Sequence, residues 1–157
     1  MKHFVDILSE LARRTSGSAL VEMTIITPLA ILLMAGTVDF GLALFTQATA
    51  SKSVHNAARY LGSLSKSTVC DNPDWPKVLQ KAQNLAVYGT LTAQPGSELI
   101  PGWSPGDVQT IVDCTQSPPA ITVTATVSRN SIIATRLLPI PSIFTLSATH
   151  EERQVGS

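Results

Sequence analysis

Charge is sparse in this chain: only 14% of its residues are charged, and between Glu22 and Asp39 there is no charge at all. Its Lys+Arg 11 balance its Asp+Glu 11 to a formal net charge of +0, which leaves no basic surface large enough for nucleic acid. Cysteine is scarcer still. Cys70 and Cys114 are too few for a zinc site unless histidines help, and His3, His55 and His150 are scattered along the chain. No metal or cofactor is expected. A phosphate loop, a carboxylate pair and a Cys/His pair with plausible neighbours are also missing, so an enzyme is not expected. Gly102-Trp103-Ser104-Pro105-Gly106 spells the hydrolase pattern G-x-S-x-G. That elbow requires a backbone N–H on the residue after the serine, which Pro105 lacks. A proline-glycine turn carrying a partly exposed Trp103 is the expectation.

What the chain does have is one long apolar run, from Gly17 to Phe45. A helix rises about 1.5 Å per residue and a bilayer core is about 30 Å thick, so roughly 20 such residues suffice to cross it. Arg13 and Arg14 precede the run and no cation follows it until Lys52, which places the N-terminus in the cytoplasm and exports the rest. The sequence then divides into a leader (1–17), a membrane-spanning part of the helix (18–45), a periplasmic extension of it (46–66) and a small periplasmic module (67–157). Both cysteines fall on the exported side, where a Cys70–Cys114 disulfide is the natural state.

Within the span, Pro28 clashes with the carbonyl of Thr24 and removes one backbone hydrogen bond, so a kink is expected, with Thr24 and Thr27 hydroxyls available to the freed carbonyls. Beyond Phe40 the helix is expected to continue. Phe40, Ala43, Gln47, Ala50, Val54, Ala57, Leu61 and Leu64 recur at steps of three and four and share one face. Its alanines admit close approach by the chain's own module or by neighbouring subunits, and one helix can do both along different lengths. Phe40, Ala43, Ala50, Val54, Ala57 and Leu61 are the residues assigned to subunit packing.

Gly62, Ser63, Ser65 and Ser67 signal the end of this helix, and Asp71-Asn72-Pro73 a turn. A second helix follows, with Asp74 as cap, Pro76 in the first turn and Gly89 as its end. Residues 90–106 read as loop. Val108 to Val112 suggest a short strand, Ile121 to Ser128 alternate apolar and hydroxyl residues, and Phe144 to Thr149 repeat that alternation. An apolar, proline-containing connection, 132–133 and 137–143, either covers the sheet or faces a partner. The fold class expected is α+β: a long N-terminal membrane-spanning helix leading to a small helix-plus-antiparallel-sheet module.

Gly17 is followed by Ser18 and then by Glu22, downstream of a basic leader; this is the layout of a prepilin signal, in which a peptidase cuts after the glycine. With Leu20-Val21-Glu22, Pro28-Leu29, Val38-Asp39-Phe40-Gly41 and Ala57-Ala58-Arg59-Tyr60, the N-terminal half resembles the TadE-like pseudopilins of tight-adherence (Flp, type IVc) pilus systems; Asn84-Leu85-Ala86-Val87-Tyr88-Gly89 is a weaker echo. The resemblance implies a minor subunit acting in pilus initiation, priming or decoration, with a prepilin peptidase, other pilins or pseudopilins and the inner membrane as partners. It implies cleavage between Gly17 and Ser18. The new Ser18 amine would lie about one helical turn from Glu22, and a neighbour's amine could neutralise that acid in low dielectric. Asp39, on the order of 25 Å further along, is either a solvated interfacial acid or a polar contact in the assembly. Two other readings compete. Ala48-Thr49-Ala50 resembles a signal-peptidase site that would release a soluble binding module, and an uncleaved single-span protein would need no processing at all.

Overall fold

The computed structural model describes residues 15–131 and 143–155. The leader up to residue 14 and the apolar connection expected at 132–133 and 137–143 lie outside or almost wholly outside those residues. Helix α1 covers Thr15–Gly62, 48 residues without interruption. Short helix α2 (Lys66–Cys70) and helix α3 (Trp75–Tyr88) follow. A 3-10 turn at Pro105–Asp107 leads into strand β1 (Val108–Asp113), then β2 (Ala120–Asn130) and β3 (Ile143–Arg153). The expected α+β layout is present.

The strands form a three-stranded antiparallel meander in the order β1-β2-β3. Its register puts Val123 opposite Thr110 and His150, and Ala125 opposite Val108 and Ala148. Side chains alternate across a strand, so Ile121, Val123, Ala125 and Val127 enter the core while the hydroxyl residues between them face outward or sit at the margin.

Helix α1 packs on β2 and β3, and α3 packs on α1 and β1. Val54, Ala57, Ala58 and Leu61, spaced as one helical stripe, are fully buried there, beside Ala82, Ala86 and Val87 of α3. Each large apolar side chain so buried contributes about 1.5–3 kcal/mol. Small residues set the distance between layers. At Gly62 an added Cβ would stand 3.0 Å from Cγ of Glu152, so a side chain there would have to push the Glu152 side chain aside by a few tenths of an ångström.

Both ends of α3 obey local rules. Gly89 ends it in the left-handed region at φ 71, where a side chain would be strained. Asp74 occupies the N-cap position but makes no side-chain cap; its carboxylate pairs with Lys77 at 2.8 Å. The C-terminal tail closes α1: Val155 N–H donates to the Gly62 carbonyl at 3.0 Å and Gln154 Nε2 to the Leu64 carbonyl at 2.8 Å, satisfying acceptors a helix end leaves open.

Helix α1 ends at Gly62, where the glycine and serines signal its end, and Ser65 just beyond caps α2 by accepting from Thr68 N–H. One expectation about the loop needs correction. Trp103 is buried, not partly exposed, at 4%. The Leu99 N–H donates to the Val87 carbonyl at 2.9 Å, and this strap from α3 draws Ile100 and Trp103 into the core.

Candidate functional site

The site suggested by the sequence is the helix itself. From Ala19 to Met34 every side chain is exposed, on all sides, including Leu20, Ile25, Leu29 and Leu33. An apolar helix uncovered all round fits hydrocarbon rather than water. The helix is long and apolar enough to cross a membrane, and none of its most apolar stretch is covered by the rest of the chain.

Four of its threonines are paired within the helix. Thr24, Thr37, Thr46 and Thr49 each donate a hydroxyl to the carbonyl four residues back, at 2.7 to 2.9 Å. Such pairing spares a threonine the cost of an unsatisfied hydroxyl in lipid. Thr24 therefore serves the Leu20 carbonyl, not its own, which Pro28 leaves without a partner N–H. The helix continues through Pro28. Gly17 and Ser18 lie within it, and Glu22 is exposed about one turn further on.

Asp39 marks where the module takes hold. Ser131 Oγ, just past β2, donates to Asp39 Oδ2 at 2.6 Å, and both residues are at least partly buried. A contact inside the chain was not among the roles expected of Asp39. Further up, Arg129 Nη1 reaches Thr46 Oγ1 at 3.4 Å and Gln47 Nε2 donates to the Ser147 carbonyl at 3.0 Å.

The packing face divides in two. Ala50, Val54, Ala57 and Leu61 lie in the chain's own core at 0–1% exposure, so they are not surfaces for another subunit. The module covers them because they face β2, β3 and α3. Phe40 is 66% exposed and remains available; Ala43 is half-buried. Leu44 and Phe45, which the helical stripe had left out, are exposed beside it.

Cys70 and Cys114 are bonded, with Cα atoms 6.0 Å apart. The G-x-S-x-G stretch is a turn. Ser104 donates from both N–H and Oγ to Asp107 Oδ2, at 3.0 and 2.8 Å, which ties the serine into a capping box instead of a nucleophile elbow.

Sequence order concealed one cluster altogether. His55 and His150, 95 positions apart, meet with Nδ1 and Nε2 at 2.9 Å, and Glu152 Oε2 lies 3.3 Å from the same His150 nitrogen. Two of the three scattered histidines are therefore neighbours. The only trace in the sequence is that His150 and Glu152, two apart in a strand, share a face.

Residues 17–59 match the family model described as TadE-like protein. The match starts at Gly17 and runs through the bare segment into the packed half of α1. Neither a curated protein nor a solved structure matches the chain.

Proposed function

We propose that this chain, TadE-like over α1, is a minor pseudopilin of a tight-adherence pilus, made as a membrane prepilin, cut after Gly17, and used in pilus initiation, priming or decoration. It works by packing and not by catalysis. The observation that carries this reading is a fully exposed apolar helix segment, Ala19 to Met34, lying inside the TadE-like match and beginning just after Gly17-Ser18. Leu20 to Phe45 supply the surface for lipid first and for neighbouring helices on assembly. The C-terminal module is carried on the far half of the same helix, on the periplasmic side.

The signal-peptidase alternative fits less well. Ala50 of Ala48-Thr49-Ala50 is 1% exposed in the middle of α1, so release there would cut the core helix. Intact-mass measurement and N-terminal sequencing of the membrane fraction test the proposal. A mature chain beginning at Ser18 is expected, with processing blocked when Gly17 is replaced by a bulky residue. A terminus at Ser51, or the uncut chain alone, would reject it.

A further inference from the structure

Helix α1 and strand β3 bring His55, His150 and Glu152 together so that one ligand atom from each lies within 4.8 Å of the other two. The rings of His55 and His150 meet edge to face, with centroids 4.4 Å apart. The single nitrogen His150 Nε2 faces both His55 Nδ1 at 2.9 Å and Glu152 Oε2 at 3.3 Å. With a proton on Nε2, the His55 lone pair and the carboxylate share it; without one, Nε2 accepts from His55 Nδ1–H and the carboxylate is left facing a lone pair. In either state two imidazole nitrogens and one carboxylate oxygen form a compact set of the donor types a divalent cation takes.

We propose that His55, His150 and Glu152 form a binding site for a borderline divalent cation of the zinc type, stapling α1 to β3. Two imidazoles and a carboxylate are a known zinc donor set, with a fourth position left for water. Around a tetrahedral zinc with Zn–N of about 2.0–2.1 Å, two nitrogens stand about 3.3 Å apart. The observed 2.9 Å therefore needs to open by a few tenths of an ångström, and the Glu152 carboxylate needs only to turn inward. The side chains of His150 and Glu152 are 35% and 29% exposed, so an ion and its water can enter from solvent. Arg59, one turn beyond His55, lines the same cleft as Glu152 and Gly62. The two elements are far apart in sequence, so a bound cation would fix the module on its helix.

The test uses the full-length protein in detergent micelles, without a histidine tag and stripped by a chelator, titrated with Zn²⁺ and separately with Co²⁺. One Zn²⁺ per chain is expected, with a rise in unfolding temperature, and Co²⁺ is expected to give the visible absorption of a four-coordinate nitrogen/oxygen site. His55→Gln combined with His150→Gln should abolish both effects. Loss of an outer-shell partner already costs 10–100-fold in affinity, so Glu152→Gln should weaken binding by at least ~10-fold. His3→Gln should change nothing. An intact Cys70–Cys114 bond and an unchanged circular dichroism spectrum establish that the variants are folded. The cobalt spectrum of the unaltered chain needs no variant: its absence overturns the proposal, as does binding that survives loss of both histidines. A cluster held by a shared proton alone would give neither cobalt bands nor a zinc-dependent shift, and would overturn it too.

Discussion

At the scale of single residues, the acids of α1 divide by what surrounds them. Asp39 receives Ser131 Oγ–H at the foot of the sheet and so belongs to the chain's own architecture. Glu22 stands on the exposed apolar segment. If it pairs with a neighbour's Ser18 amine, Glu22→Gln leaves that amine buried without its countercharge, a penalty that appears only in the complex. The expected variant is cut normally, stays in the membrane and fails to crosslink to pilus partners. Normal crosslinking and piliation would return Glu22 to the role of a solvated acid. The span and its two acids were legible because absence of charge is a property of sequence alone. Ser131 as the partner of Asp39 was not, because it is 92 positions away and depends on where β2 ends.

At the scale of elements, β2 and β3 were visible from their period-two alternation, each starting one residue earlier and ending two and four residues later than it suggested, and α3 from its cap and glycine signals. Helix α2 was hidden because the serine that caps it is also a loop former, and only the Thr68 N–H donated to Ser65 distinguishes the two. This five-residue helix is too short to persist by itself. It is held by Val69 in the core and by the Cys70–Cys114 bond, which ties it to the end of β1. Beside Cys114, the Thr115 and Gln116 side chains and then the Thr115 N–H donate to Asp113, holding its carboxyl below the usual range and keeping the turn closed. The bond spans a sequence separation of 44, for which the chain-entropy model gives about 4 kcal/mol. Cys70→Ser with Cys114→Ser should lower the stability of the module by about that amount in denaturant titrations in micelles. A loss below about 1 kcal/mol would mean that α2 and β1 hold together by packing alone.

At the scale of the whole molecule, the question is where the membrane ends and the module begins. Charge placed the boundary at Phe45, since the first cation after the span is Lys52. Contacts place it earlier. The polar end of the sheet reaches α1 at Asp39 through Ser131 and at Thr46 through Arg129, and a sheet end with its backbone groups cannot sit in hydrocarbon. From Ala19 to Val38 the helix rises about 30 Å, which by itself matches the hydrocarbon thickness. Phe40 and Leu44, both exposed, would then lie at the interface, where an aromatic side chain suits the headgroup region or a neighbouring helix, while Phe45 lines a cleft with Ile100 and Arg129 of the module. Single cysteines separate these boundaries, because the native pair is bonded and does not react without reductant. A Cβ added at Gly41 meets nothing within 4 Å, and Ala30 is exposed, so Gly41→Cys and Ala30→Cys should both fold. In intact membranes opened to the periplasmic side, a charged, membrane-impermeant maleimide should label Gly41→Cys and leave Ala30→Cys untouched. Protection at both positions would move the boundary to Phe45 and require the Asp39–Ser131 bond to form inside the bilayer, where an ionised carboxylate is costly.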